Sequence, residues 1–283
     1  MKRLSYNLKR LLFQILAALC TNPFIQNITT GKIYKGNLKN ICTPGLNCYS
    51  CPAAAYSCPL GAMQSIASAP DHKISFYALG ILIIFGGLFG RLVCGFLCIF
   101  GLFQDLLYKI PIFKLHIAPA LDKILRYFKY GVFVMFILLF PIIITNELGM
   151  GEPFFCKYIC PAGTLEAGVI LILKNITLRN MIGLLFEFKV LILILIIVLS
   201  STIYRPFCKY LCPLGAFYSI FNRISLFRMS VNKAKCTSCN TCANTCPMKV
   251  DVVNNPNSLE CIRCLKCVHV CPGNALKFGI KNE

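Results

Sequence analysis

Eight cysteines near the end of the chain carry a spacing that suits iron. Cys236, Cys239, Cys242 and Cys246-Pro247 recur as Cys261, Cys264, Cys267 and Cys271-Pro272, two copies of the run C-x2-C-x2-C-x3-C-P that wraps a 4Fe-4S cube. Three thiols two residues apart cover three corners of a cube, and the fourth reaches outward to its neighbour. The spacing therefore assigns Cys236, Cys239, Cys242 and Cys271 to one 4Fe-4S cluster and Cys261, Cys264, Cys267 and Cys246 to the other. Each proline ends its run and helps keep water off the inorganic core. A zinc site would use four ligands per ion in C-x2-C pairs, and a disulfide framework would not repeat a three-plus-one set. Electron transfer is the chemistry this pattern implies.

The other cysteines must be read against the elements that carry them. Hydrophobic residues make up 57% of the 283 and charged ones 14%, too apolar for a soluble domain. The expected fold is an α-helical membrane protein, with a membrane domain over 1–228 and a cytoplasmic α+β ferredoxin domain holding two 4Fe-4S clusters over 229–283. Four spans are expected, at about 10–28, 75–93, 128–146 and 188–205, each near the roughly twenty residues a bilayer needs. The first is interrupted by Gln14, Asn22 and Pro23, and its basic start (Lys2, Arg3, Lys9, Arg10) could equally open a signal peptide, but no convincing cleavage site follows. The stretch 165–173 is too short to cross and reads as re-entrant or interfacial.

Lysine and arginine set the orientation. They crowd the N-terminus, the 99–130 loop (Lys109, Lys114, Lys123, Arg126, Lys129) and everything after Arg205. These belong in the cytoplasm, so both termini are expected inside a multi-pass protein of the cell membrane. The 147–187 segment, with Glu147, Glu152, Glu166 and Glu187, then lies outside. The 29–74 segment, basic through Lys32, Lys35, Lys39 and Lys73, fits this scheme less well.

Sorted by side, the cysteines form two further sets. Cys94 and Cys98, and Cys208 and Cys212, follow the second and fourth spans as C-x3-C pairs, each with an arginine before it (Arg91, Arg205) and a glycine after it (Gly101, Gly215). Spacing of i, i+4 puts both thiols on one helix face, and the two pairs are expected to hold an inner 4Fe-4S cluster. On the outer side, Cys58-Pro-Leu-Gly61 matches Cys160-Pro-Ala-Gly163, which makes the chain two tandem half-repeats with re-entrant cysteine loops. Cys51, Cys58, Cys156 and Cys160 are the expected outer ligands, with Cys48 the alternative to Cys51. Cys42 is surplus and could form a disulfide with Cys48. Cys20 reads as a small buried hydrophobe. Buried filler is the bland reading of the whole set, but ten of the eleven lie at span ends or in the adjoining loops.

Three histidines, His72, His116 and His269, all outside the expected spans, do not provide for a haem. No nucleotide fingerprint or P-loop is present, so no organic cofactor is expected. The formal charge of +19 falls to roughly +11 when each of four clusters contributes about −2. It is mostly juxtamembrane and speaks for anionic lipid rather than nucleic acid.

With these motifs in view, the chain resembles the NapH-type membrane polyferredoxins, which are related to the membrane half of NosR. The likeness is carried by GRLVCGFLC and IFGLFQDLLYKIP over 90–111, by RPFCKYLCPLGAFYSIFNRISLFR over 205–228, and by the double ferredoxin tail. The resemblance implies four spans and passage of electrons between a cytoplasmic donor (a ferredoxin or reductase) or the quinone pool and an extracytoplasmic redox protein. Two departures stand out. Ile99 replaces the proline after Cys98, and the Cys42 to Cys58 block and Cys156/Cys160 are extra. They suggest a variant subgroup with its own outer cluster, and the resemblance to other, flavin-linked members of the family allows delivery of electrons to an external flavoprotein. A quinol dehydrogenase working only at the inner face, with Gln104 and Asp105 lining a quinone pocket, and a membrane-bound iron–sulfur sensor or assembly factor are the competing readings.

Overall fold

The computed structural model describes residues 2–69, 76–115, 117–147 and 150–280, with side chains from residue 6 onward. His72, His116 and Lys73 lie outside the described residues, as do the side chains of Lys2 and Arg3. The protein is mostly helical. Its principal helices are α1 (Lys2–Thr21), α2 (Pro59–Ala67), α3 (Phe76–Phe89), α4 (Leu92–Phe96), α5 (Ile99–Tyr108), α6 (Pro119–Ile143), a helical run α7 over 161–174, α8 (Leu184–Thr202), α9 (Pro213–Phe221), α10 (Thr241–Thr245) and α11 (Lys266–Val270). One two-stranded antiparallel sheet pairs β1 (Phe227–Val231) with β2 (Leu276–Ile280), in the register Phe227 opposite Ile280.

Among the described residues two helices are long and apolar enough to cross a bilayer, α6 with 25 residues and α8 with 19. Their outward faces are bare apolar surface: Leu184, Leu191, Ile194, Leu195 and Val198 of α8 are all more than half exposed. A contiguous patch of that kind marks a surface meant for something other than water. Two of the expected spans take another form. Helix α3 has 14 residues, short of the roughly twenty that a crossing needs. Helix α1 begins eight residues before the expected span at 10–28 and ends at Thr21. Its Arg10 and Gln14 are buried against the Gly95 carbonyl and the Asp105 carboxylate, and its start packs on α11 of the ferredoxin tail. A helix that buries an arginine and a glutamine in protein is amphipathic rather than lipid-facing all round.

The tail encloses a small core of Met229, Cys242, Val252, Cys267 and Leu276. Its two cysteine runs repeat at the level of the backbone. Ser238, Asn240 and Lys249 adopt left-handed conformations, and so do Arg263, Leu265 and Asn274 at the matching places. A non-glycine residue in that region costs about 1–3 kcal/mol. Six such residues in register mark loops whose shape is dictated by what they wrap.

Tail and helical bundle are locked together. The fully buried Arg263 donates to the carbonyls of Phe89, Asn222 and Phe227. Asn222 in turn holds the Ser258 and Cys261 carbonyls and accepts from the Arg91 amide. Lys129 and Arg91 converge on Glu260. Burial would raise the Glu260 carboxyl, but these cations hold it below its ordinary value.

Candidate iron–sulfur sites

Four sets of thiols converge. In the tail, Cys236, Cys239, Cys242 and Cys271 line one small cavity and Cys246, Cys261, Cys264 and Cys267 another. The backbone amides of Val250 and Ala275, four residues after Cys246 and Cys271, point at those two sulfurs at 3.5 and 3.3 Å. Each proline after the fourth cysteine therefore opens a turn that returns an amide to the thiol.

In the bundle, every second cysteine caps a helix. Cys58, Cys98, Cys160 and Cys212 are extended residues immediately before helices that begin at Pro59, Ile99, Pro161 and Pro213. The first helical position needs no N–H partner, which is why proline suits it and why Ile99 does no harm there. Three residues on, the Gly163 and Gly215 amides donate to the Cys160 and Cys212 thiols at 3.4 and 3.3 Å, and the Gly61 and Gly101 amides are directed at Cys58 and Cys98. Amides at a helix start favour negative charge, the charge of a thiolate-bound cluster. The first cysteines are less uniform. Cys94 lies in an α-helical turn, but Cys156 and Cys208 lie in π turns over Phe155–Ile159 and Phe207–Leu211. The simple i, i+4 helix face expected for Cys208 and Cys212 is therefore replaced by a wider turn.

The inner set, Cys94, Cys98, Cys208 and Cys212, is fully enclosed by protein, and its members lie within electrostatic reach of one another. The second set unites Cys58, Cys156 and Cys160 with Cys48. Cys51 is turned toward the Ala53 and Ala54 amides, and Lys39 Nζ lies 3.5 Å from its carbonyl. It is Cys48, the alternative, that stands beside Cys58, Cys156 and Cys160 on one cavity wall, and not Cys51. The six-residue stretch from Cys42 explains why: its backbone runs against Cys98, and Glu166 takes the Cys48 amide at 2.8 Å, fixing the Cys48 turn over α7. All nineteen cysteines are unbonded, and the Cys42 thiol sits 3.5 Å from Ser57 Oγ, so the disulfide expected between Cys42 and Cys48 is absent. Cys20 is exposed rather than buried.

Two glutamines sit six places after a capping cysteine. Gln104 donates from Nε2 to the Cys208 thiol at 3.1 Å and accepts the Phe207 amide at 3.2 Å. Gln64 does the same to Cys156 at 3.3 Å and Phe155 at 3.0 Å. The signal that could have found them is Cys-x5-Gln, which occurs twice in the first half, at Cys58/Gln64 and Cys98/Gln104. Gln104 and Asp105, expected at a quinone pocket, are engaged by protein partners. Asp105 accepts from Arg205 at 2.7 and 2.5 Å and from Arg10 at 2.7 Å. Burial alone would raise its carboxyl, but the two guanidinium groups hold it well below the usual carboxylate range.

No three His, Cys, Asp or Glu side chains among the described residues close around a single ion. Sixteen thiols instead stand in four groups of four, three of them lining cavities and the inner one gathered in the packed core. Four thiols per group is the donor set of a 4Fe-4S cube, so these residues fit that group, which when bound takes up and gives back one electron at a time.

Helices that cap cysteine cavities, together with a two-run cysteine tail, define an iron–sulfur electron carrier. A 4Fe-4S binding-domain family matches residues 72–118, 130–179 and 188–233, and a 4Fe-4S dicluster family matches 228–272. The chain belongs to this 4Fe-4S family, among the NapH-type polyferredoxins. It is 30% identical to the uncharacterized protein MJ0750 of Methanocaldococcus jannaschii over 71% of its own length and 76% of that protein. Shorter stretches match the methylamine utilization ferredoxin-type protein MauN of Paracoccus denitrificans (48% identical; 15% of this chain, 16% of that one) and the ferredoxin-type protein NapH of Haemophilus influenzae (42%; 17% of each). No solved structure matches. The protein is a 4Fe-4S ferredoxin-type electron-transfer protein.

Proposed function

We propose that the chain is a membrane-integral conduit of four 4Fe-4S clusters, with four membrane segments, cytoplasmic termini and a domain break near residue 228. In this reading electrons enter from a cytoplasmic ferredoxin or reductase and leave to an extracytoplasmic redox protein, a flavoprotein by the analogy stated above. The observation that carries it is continuity of contact. A Cβ on Gly95, next to Cys94, would lie 2.5 Å from the Ile262 carbonyl, between Cys261 and Cys264. The tail thus abuts the inner set with no solvent layer between them. On the far side of that set, Gly45 packs on the Cys98 backbone. A hydrocarbon core about 30 Å thick is too wide for a single tunnelling step, so a chain of adjoining sites is what such a transfer needs.

Entry at the tail is supported by Cys239, exposed at the distal cavity beside exposed Lys233 and Lys235. Lysines there favour an acidic donor. The quinone pool is the weaker donor, because Gln104 and Asp105 are already engaged. The test is anaerobic purification with iron and labile-sulfide counts and EPR on wild type, Cys94→Ser and Cys156→Ser. About sixteen iron atoms per chain are expected for four cubes, and about twelve in either variant. Unchanged iron and unchanged reduced signals in Cys156→Ser would end the conduit reading at its outer end.

A further inference from the structure

Between the inner and outer sets lies a two-residue bridge. The Leu46 amide is directed at the Cys98 thiol of the inner set, and the next amide, that of Asn47, at the Cys58 thiol of the outer set. Both residues are buried, at 2% and 1% exposure. The segment is held from both sides: Gly45 rests on the Cys98 Cα, and the Tyr218 hydroxyl donates to the Pro44 carbonyl at 2.8 Å. Two consecutive peptide units therefore reach the two sets, one each, and a side chain at Gly45 would crowd them, because a Cβ would come within 3.1 Å of the Cys98 Cα.

The Asn47 side chain is the anomaly. Neither its Nδ2 nor its Oδ1 has a hydrogen-bond partner in the protein, although buried amides are nearly always paired. It lines a cavity of about 760 Å³, whose wall also includes Cys48, Cys58, Cys156 and Cys160. A buried amide facing a thiol-lined cavity is a donor awaiting an acceptor. The sulfurs of a 4Fe-4S cube are acceptors, and hydrogen bonds to them are one of the protein's levers on reduction potential.

We infer that Asn47 is a positioning residue for the outer cluster, its side-chain amide donating to that cluster and holding its potential up, while the two consecutive amides of Leu46 and Asn47 join it to the inner cluster. The inference rests on the four-cluster reading above. A donated hydrogen bond stabilises the more negative, reduced form, so losing it lowers the potential. No electron donor beyond the one proposed above is required.

The experiment is a redox titration followed by EPR on wild type, Asn47→Leu and Asn47→Ser, the outer signal being the one lost in Cys156→Ser. Asn47→Leu is expected to move that signal alone to more negative potential, and Asn47→Ser, which keeps a donor, to bring it back toward wild type. A stationary outer signal in Asn47→Leu, or equal shifts in both variants, overturns the inference. If Asn47→Leu loses the outer iron, the wild-type spectrum decides. With both clusters reduced, neighbours joined through two consecutive peptides must broaden each other's signals, and independent signals overturn the bridge. A wild type with no fourth cluster would instead refute the four-cluster reading, an outcome distinct from either.

Discussion

Arg91 and Arg205 cross the inner site in opposite directions, each ending on the carbonyl of the other's cysteine. Arg91 Nη2 lies 3.1 Å from Cys208 O, and Arg205 Nη1 lies 2.5 Å from Cys94 O. Each stands three residues before its own C-x3-C pair, so the brace is a product of the half-repeat. The two differ in their second attachment. Arg91 reaches the tail at Leu259 and Glu260, and Arg205 reaches Asp105.

That difference predicts different failures. Arg205→Met leaves the buried Asp105 carboxylate with Arg10 as its one remaining guanidinium partner and should destabilise the bundle by about 1.5–3 kcal/mol, the range for a lost hydrogen bond to a charged group. Arg91→Met should leave Asp105 paired and loosen the tail. Limited proteolysis reads the contrast: tail release is expected first in Arg91→Met. Equal digestion patterns would contradict it.

The Asp105 pair should be insensitive to pH across the physiological range. A carboxyl held below its ordinary value contributes stability that is fully present above the unfolded pKa, about 3.9, and is lost as pH falls through the lowered one. The stability difference between wild type and Asp105→Asn should therefore stay constant from about pH 8 to about pH 5. A difference that shrinks over that interval would show the carboxyl is not held down.

Cys48 and Cys51 offer a direct contrast at the outer site. Cys48→Ser should remove about four iron atoms per chain, and Cys51→Ser and Cys42→Ser none. Iron analysis of the three purified variants decides it, and iron loss in Cys51→Ser alone would return the fourth position to that residue.

Gly95→Ala pushes a methyl into the Ile262 carbonyl. Overpacking of this kind costs about 1–3 kcal/mol and should part the tail from the inner set without removing a ligand. Stopped-flow reduction from the tail should show unchanged iron content and slower reduction of the inner signal. An unchanged rate would place the electron path elsewhere.

Much of the site could be read from spacing because ligand spacing is a local property. The tail loops, the capping cysteines and the arginines before each pair are all set by a few consecutive residues. What could not be read was long-range. The choice of Cys48 over Cys51 depends on a chain turn fixed by Glu166, 118 residues away. Helix α1 reads as a span from its apolar face, but the ion pair that buries its Arg10 comes from Asp105, 95 positions later. Gln64 and Gln104 were hidden for a simpler reason: their partners lie in the other half-repeat.

The short Leu46–Asn47 link between the Cys98 and Cys58 thiols also has an electrical meaning. Moving one charge across a full membrane potential is worth about 2.3 kcal/mol per 100 mV, divided among steps by the fraction of the field each one crosses. Two sites joined through Leu46 and Asn47 cross little of it between them. In the proposed orientation, the voltage of an energised membrane would fall mainly on the steps at either end of the path, leaving exchange between the two bundle sites nearly indifferent to it.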